Sequence, residues 1–157
     1  MSTRILIVCM GNICRSPMAE GLLRHKIERA GMAERVQLDS AGTGPWHAGH
    51  PPDPRAIAVC SEHGIDIAGL RGRQIASGDF AVHDWVLCAD RHNLHELQAM
   101  APRTAQPRIA LMLAWAGLGA TSEIPDPYTG SLADFRSVYT LLNHATELML
   151  ARLQLPA

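Results

Sequence analysis

The chain has 157 residues, 47% of them hydrophobic, and a formal net charge of −1. This length is close to that of a typical domain and predicts one domain over residues 1–157 with a buried core. Lysine and arginine are spread along the chain without forming a basic stripe, which argues against nucleic acid as a partner.

The first predicted element is a strand from Arg4 to Val8, whose apolar and β-branched residues suit a strand buried on both faces of a parallel sheet. Ser16 and Pro17 then predict the N-cap and first residue of a helix, and Gly31 predicts its end. The strand, the loop and the helix N-terminus therefore form one βα unit.

The loop of this unit begins at Cys9 and is closed by Arg15, six positions later. Its intervening residues predict a nest of inward-pointing backbone N–H groups, which binds anions, and Gly11 supplies backbone freedom. The helix N-terminus adds about half a positive charge, and the planar guanidinium of Arg15 matches two phosphate oxygens. Because this field favours a thiolate, we predict that Cys9 is a nucleophile that attacks phosphorus.

Three other loop residues have candidate roles. Asn12 is a residue type that tolerates a left-handed backbone and hydrogen-bonds locally, so we expect it to hold the loop open. The Ser16 hydroxyl is a candidate both for capping the helix and for donating to Cys9. Cys14 lies in the same loop, so we expect it to form a reversible disulfide with Cys9 once the Cys9 thiolate is oxidised. The alternative is that the Cys14 thiol only packs beneath the loop.

The second predicted strand ends in a glycine-containing loop at 39–44, which we expect beside the first loop. Trp46 follows outside any apolar stripe, and its ring is expected to face the substrate. Asp53 then caps a helix that is predicted to end at Gly64.

Residues 85–89 predict a third strand, followed by a helix that Asp90 caps, and residues 108–113 predict a fourth strand. Ser131 and Asp134 predict a capping box for the last helix. This helix is expected to bury Leu132, Phe135, Val138, Tyr139, Leu142, Ala145 and Met149. Alternating strands and helices predict an α/β fold with a parallel sheet covered on both faces and its active loops at the carboxyl ends of the strands.

Phosphoryl transfer to a thiolate requires an acid that protonates the departing oxygen. The segment 124–130 follows the fourth strand on the same carboxyl edge, and Pro125 and Pro127 stiffen its backbone around Asp126. Asp126 is therefore the predicted general acid, and its carboxylate would next activate water to hydrolyse the cysteinyl phosphate. Tyr128 is expected to form a wall of the cleft.

Cysteine and histidine usage predicts neither a metal site nor a secreted disulfide scaffold. The four cysteines, among them Cys60 and Cys88, show no paired metal spacing, and free thiols are expected. His92 with His95, like the pair of histidines at 47 and 50, lacks a third ligand. Gly11 interrupts the first apolar run too early for a signal peptide or a membrane span, so we expect a cytoplasmic protein without membrane insertion.

Three motifs together resemble those of the low-molecular-weight protein tyrosine phosphatases. They are Val-Cys-Met-Gly-Asn-Ile-Cys-Arg-Ser-Pro at 8–17, Asp-Ser-Ala-Gly-Thr-Gly at 39–44 and Asp-Pro-Tyr at 126–128. The resemblance spans nearly the whole chain. It implies a three-layer α/β/α fold with a four-stranded parallel sheet and a phosphate-binding loop after strand 1, a phosphocysteine intermediate, and no metal or organic cofactor.

Residue roles also follow from the resemblance. It implies that Cys9 is the nucleophile, that Arg15 binds phosphate and that Asp126 is the general acid and base. The substrate-binding residues that it implies are Met10, Gly11, Asn12, Ile13, Cys14, Ser16, Trp46 and Tyr128. It further implies a network of Asn12, Ser16 and Ser40 that supports the loop, and a phosphotyrosine-containing protein as partner, in bacteria often a tyrosine kinase.

Two departures from the family pattern affect these expectations. Family members often have a second tyrosine after Asp-Pro-Tyr, where this chain has Thr129. In many relatives a histidine of the supporting network precedes an Arg-Gln pair, whereas Leu70 lies in the segment before Arg73 and Gln74 here. The missing tyrosine bears on substrate preference, and the missing histidine bears on the rigidity of the loop.

Three alternative functions stay open from the sequence. Arsenate reduction also begins at a thiolate in an anion loop, but it needs a relay of nearby cysteines, and Cys60 and Cys88 are far apart in the sequence. Phosphoarginine phosphatases have threonine after the loop asparagine, where this chain has Ile13. A phosphate-binding adaptor would need neither Cys9 nor Asp126.

Overall fold

Four short apolar segments form the central sheet of the computed structural model, which describes residues 2–156. The strands are β1 (Thr3–Cys9), β2 (Val36–Gly42), β3 (Trp85–Cys88) and β4 (Ile109–Leu111). They lie in the order β2-β1-β3-β4 and all pair in parallel, with Ile7 of β1 opposite Ser40 of β2 and Leu87 of β3. The strand that leads into the predicted phosphate loop is therefore paired on both sides.

Helices connect the strands and cover both faces of the sheet. They are α1 (Arg15–Arg29), α2 (Pro54–Ser61), α3 (Asp79–Val82), α4 (Arg91–Met100), α5 (Met112–Trp115) and α6 (Leu132–Leu153). Within residues 2–156, none of these helices combines the length and apolar character that crossing a bilayer requires.

The side chains of β1 alternate between two buried clusters. Ile5 belongs to the cluster that contains Leu22 of α1 and Leu142 of α6. Leu6 points to the opposite face, where it belongs to the cluster that contains Phe80 of α3. This alternation is the period-two pattern of a strand buried on both faces. The predicted three-layer α/β/α fold with a four-stranded parallel sheet is confirmed.

The carboxyl ends of the strands bring three connecting segments together. A Cβ atom on Gly42, at the end of β2, would stand 2.8 Å from the carbonyl oxygen of Met10, so the loops after β1 and β2 approach this closely only because glycine is present. The Ile124 N–H donates to the Ala89 carbonyl, just after β3, at 2.9 Å. This hydrogen bond holds the start of the segment 124–130 at the carboxyl edge of the sheet, beside the other two loops.

The predicted helix caps at three sites are confirmed. Asp53 accepts a backbone N–H at the start of α2, and Asp90 forms a capping box with Asn93 at the start of α4. At α6 the Asp134 carboxylate accepts the Ser131 N–H at 2.7 Å. These caps matter for function because two of them, Asp53 and Asp90, lie beside the candidate site.

Two predictions about elements outside the phosphate loop were wrong. The fourth strand ends at Leu111, because Met112 and Leu113 keep their side chains buried in the turn of α5 instead of extending the strand. Leu132 is 38% exposed, because it begins α6 and lies outside the buried face that starts at Phe135.

Candidate active site

Cys9 ends β1 and lies at the floor of the loop that leads into α1. Its Sγ accepts the backbone N–H of Asn12 at 3.3 Å and lies 3.0 Å from the Oγ of Ser16. The side chain is buried. An amide and a hydroxyl directed at one sulfur stabilise its anionic form, so the geometry fits the predicted nucleophile.

The prediction of Ser16 as N-cap was wrong. The helix α1 begins at Arg15, with Cys14 at the N-cap position and no side chain capping it. The Ser16 hydroxyl is engaged by Cys9 and by the amide of Asn12, which donates to it at 2.7 Å. Of the two candidate roles, the structure thus supports the contact with Cys9.

Asn12 organises the loop through both its backbone and its side chain. It has φ of +56°, a left-handed conformation that asparagine tolerates better than most residues. Its Nδ2 donates to Ser16 and, at 3.0 Å, to the Oγ of Ser40, while its Oδ1 accepts the Arg73 N–H at 3.0 Å. The network of Asn12, Ser16 and Ser40 that the resemblance implied is therefore present beneath the loop.

Glu20 extends this network and was missed by the sequence analysis. Glu20 is buried, with 4% of the residue exposed. Its carboxylate is paired on both oxygens: Ser40 Oγ donates to Oε1 at 2.6 Å, and Arg24 Nη1 donates to Oε2 at 2.7 Å. Leu70, in the segment where many relatives have a histidine, packs against the apolar core. Glu20 lies four residues after Ser16, on the same face of α1, and this spacing could have indicated its place in the network.

Arg15 is a buried charge directed at the cleft. Its Nη1 donates to Asp90 Oδ2 at 2.7 Å and to the Ile124 carbonyl at 2.9 Å, while its Nη2 lies 3.7 Å from Asp126 Oδ2. Burial alone would lower the pKa of Arg15, but the negative charges of Cys9, Asp90 and Asp126 outweigh it and raise that pKa. The guanidinium is thus oriented and charged before any phosphate binds.

Asp90 has a second role that the sequence analysis did not predict. Its Oδ1 accepts the Asn93 N–H at 2.8 Å as the cap of α4, and its Oδ2 holds Arg15. One carboxylate therefore joins a helix start to the arginine that is predicted to bind phosphate. Contact between residues 75 positions apart in the chain leaves no local signal in the sequence.

A cleft of about 250 Å³ opens above Cys9. Its other lining residues are Met10, Gly11, Ile13, Cys14, Arg15, Trp46, His47, Asp126 and Tyr128. Asn12 and Ser16, which were predicted to bind substrate, do not line it, because their side chains are engaged beneath the loop. Asp126 is brought over the loop as predicted, and its Oδ1 accepts the Tyr128 N–H at 3.1 Å.

The rim of the cleft is aromatic. Trp46 is 65% exposed and Tyr128 is 48% exposed, as their predicted positions on loops require. His47, which was considered only as a metal ligand from the sequence, also lines the cleft, with its ring centre 6.1 Å from that of Tyr128. A Cβ atom on Gly11 would stand 2.9 Å from His47 Cδ2, so glycine here makes room for the imidazole.

We predict that Asn12→Ala lowers the free energy of unfolding by about 2–4 kcal/mol, because alanine is strained at this φ and three hydrogen-bond partners, two of them buried, lose their contact. Urea denaturation measures the loss. Asn143→Ala on the exposed face of α6 is the matched control, with an expected change within about 0.5 kcal/mol. Equal losses in the two variants would contradict the role given to Asn12.

Comparison with known proteins identifies the family of this chain. The family model for low molecular weight phosphotyrosine protein phosphatase matches residues 4–156. A low molecular weight protein-tyrosine-phosphatase of Streptomyces coelicolor is 38% identical over 154 residues, which cover 96% of this chain and 93% of that protein.

Solved structures agree as well. A protein tyrosine phosphatase from Entamoeba histolytica, crystallised with Hepes in the active site, has a TM-score of 0.91 at 33% identity, covering 98% of this chain and 97% of that one. Vibrio vulnificus Wzb in complex with benzylphosphonate has a TM-score of 0.84 at 28% identity, covering 97% of this chain and 99% of that one. The chain belongs to the low molecular weight phosphotyrosine protein phosphatase family, and it is a hydrolase.

Proposed function

We propose that this protein hydrolyses phosphotyrosine in proteins in two steps, through a phosphoryl group carried on Cys9. The observation that supports this most strongly is that one cleft holds the Cys9 sulfur at its floor, the Arg15 guanidinium on its wall and the Asp126 carboxylate above them. A binding module would need the arginine alone, so the three groups together favour catalysis over the adaptor alternative.

In the first step, the Cys9 thiolate attacks phosphorus while the bond from phosphorus to the tyrosine oxygen breaks. The loop amides and Arg15 hold the phosphate oxygens, where charge accumulates in the transition state. Asp126, in its protonated form, gives its proton to the departing phenolate oxygen. The products of this step are a protein tyrosine and a phosphoryl group on sulfur.

In the second step, water replaces the sulfur. The Asp126 carboxylate accepts a proton from water as the water oxygen attacks phosphorus, and Cys9 leaves as a thiolate. Ser16, 3.0 Å from the sulfur, stabilises that anion as it forms. Inorganic phosphate then leaves, and Asp126 carries the proton needed for the next cycle.

The cleft favours an aromatic substrate. Met10, Ile13, Trp46 and Tyr128 line it with mainly apolar surface above the buried phosphate site, which suits a flat phenyl ring better than a charged guanidinium. The benzylphosphonate bound to the Vibrio relative is an aryl compound of this shape. Phosphotyrosine is therefore preferred over phosphoarginine as the substrate class.

The environment of the remaining cysteines argues against arsenate reduction. Cys60 and Cys88 are fully buried in α2 and β3, and burial raises the pKa of each thiol to about 12. Thiols held in this way do not form a mobile relay to Cys9. Hydrolysis of a phosphate ester needs no relay of cysteines.

We further infer that the enzyme works in the cytoplasm on a tyrosine-phosphorylated protein, for which a bacterial tyrosine kinase is one candidate. Within residues 2–156 all four cysteines are free thiols, which supports a reducing compartment. A pull-down with Cys9→Ser, which binds but does not cleave phosphotyrosine, identifies the partner.

We predict that Cys9→Ser abolishes hydrolysis of aryl phosphates and that Asp126→Ala slows it by about 10²- to 10⁴-fold, because the first removes the nucleophile and the second the proton donor. Steady-state kinetics measures both losses, and thermal unfolding checks that each variant folds. Asp66→Ala, at an exposed position outside the cleft, is the matched control and keeps full activity. Turnover by Cys9→Ser at the wild-type rate would eliminate the mechanism.

We predict that Trp46→Ala raises KM for a phosphotyrosine peptide by about tenfold while inhibition by inorganic phosphate changes by less than about twofold, because the indole contacts the ring rather than the phosphate. Competition between phosphotyrosine and phosphoarginine peptides tests the substrate class in the wild-type protein. Faster turnover of phosphoarginine would overturn the assignment.

We also propose that Cys14 protects Cys9 from irreversible oxidation. Hydrogen peroxide converts the Cys9 thiolate to a sulfenic acid, Cys14 sulfur attacks Cys9 sulfur, and the released hydroxide takes the Cys14 proton and leaves as water. Burial, with the nearby charges of Asp53 and Cys9, raises the pKa of Cys14, so the group that attacks the sulfenic acid is a protonated thiol. A dithiol reductant then restores both groups.

Activity recovered after peroxide treatment tests this protection. We predict that dithiothreitol restores most of the activity of the wild-type protein but only a small part of that of Cys14→Ser, whose Cys9 proceeds to the sulfinic acid. Cys60→Ala removes another buried thiol and is expected to recover as the wild type does. Full recovery by Cys14→Ser would exclude the protective role.

A further inference from the structure

Arg55, in the first turn of α2, contacts the segment that carries the proposed general acid. Its Nη1 donates to the Gly130 carbonyl at 2.9 Å and its Nη2 donates to the Tyr128 carbonyl at 2.8 Å. The N–H of Tyr128 in turn donates to Asp126 Oδ1 at 3.1 Å. One guanidinium therefore holds the residue whose N–H orients the acid.

The guanidinium is itself fixed on two sides. Asp53 accepts Nε at 3.0 Å and Nη2 at 2.9 Å through its two carboxylate oxygens. The Arg55 Cζ lies 4.4 Å from the centre of the buried Phe135 ring. The hydrogen bonds and charge of Arg55 lower the pKa of Asp53, so the pair stays ionised. A planar, bidentate and stacked arginine loses little further freedom when it binds the two carbonyls.

The same turn is attached to the phosphate loop. The Asp53 N–H donates to the carbonyl of Ile13 at 2.8 Å, and Ile13 lies in the loop between Cys9 and Arg15. The start of α2 thus contacts both the loop of the nucleophile and the segment of the acid. These two segments come from opposite ends of the chain, and Asp53 and Arg55 connect them.

We infer that Arg55 is a positioning residue for the general acid, an inference that rests on the proposed function. Arg55 acts through Tyr128 and Asp126 rather than on the substrate, and it sets how far the Asp126 carboxylate lies from the leaving oxygen. The acid segment needs such support because Asp126 and Tyr128 lie at the surface, with the Asp126 side chain 38% exposed and Tyr128 48% exposed. Misplacement of a catalytic group by about 1 Å costs about 100-fold in rate.

The dependence of rate on the leaving group distinguishes a misplaced acid from a damaged phosphate site. A phenol that is a strong acid departs without help, whereas a weakly acidic phenol needs a proton in the transition state. We expect Arg55→Met to lower kcat/KM about 30-fold for phenyl phosphate but less than about threefold for p-nitrophenyl phosphate. Inhibition by inorganic phosphate is expected to stay within about twofold of the wild type.

Three further variants complete the experiment. Arg55→Met added to Asp126→Ala is expected to cause no further loss with phenyl phosphate, because no acid remains to be positioned. Arg55→Lys keeps the charge but not the fork, so its loss is expected to be intermediate. Arg136→Met, which removes an exposed arginine bonded to Glu62, is the matched control and keeps the wild-type ratio of the two substrates.

The outcomes separate the positioning role from the proposed function. An equal loss on both substrates, or a further loss in the Asp126→Ala background, would overturn the role of Arg55. If Arg55→Met does not fold, the substrate ratio of Arg55→Lys decides in the same way. If Asp126→Ala itself shows no dependence on the leaving group, the general acid of the proposed function is wrong instead.

Discussion

The loop between Cys9 and Arg15 is held in one shape by the structure beneath it, and within that loop the Asn12 N–H donates to the Cys9 sulfur at 3.3 Å. Asn12 adopts φ of +56° and joins the loop to Ser16 on α1 and Ser40 on β2. Preorganised donors of this kind stabilise developing charge without reorganising during the reaction. The proposed activity therefore depends on the shape of this loop as well as on the charged groups of Cys9, Arg15 and Asp126.

Burial of Arg15 is the second constraint. A buried guanidinium is costly unless it is paired, and Asp90 provides the partner at 2.7 Å while leaving Nη2 directed to the cleft. Asp126 lies 3.7 Å from that nitrogen, close enough to share its field. The proposed acid and the proposed phosphate-binding group are thus electrostatically linked, and a bound phosphate would enter between groups that are already placed.

The order of elements and the main chemical groups were predictable because they depend on local pattern. Strand β1, the loop and α1 are consecutive, and the caps at Asp53 and Asp90 follow from residue type next to an apolar run. The second role of Asp90, the carboxylate of Glu20 and the contacts of Arg55 were not predictable, because each depends on side chains that meet only after folding. Ser16 shows the same limit, because its hydroxyl contacts Cys9 and accepts a hydrogen bond from the Asn12 amide instead of capping α1.

The central claim is that Cys9 carries the phosphoryl group between the two steps. Acid quenching within milliseconds of mixing the enzyme with excess aryl phosphate, followed by mass spectrometry of the digest, tests it directly. The account predicts one phosphoryl group on the peptide that contains Cys9, and none on that peptide from Cys9→Ser. Rapid product formation with Cys9 unmodified at every time point, or with the phosphoryl group on another residue, would contradict the account.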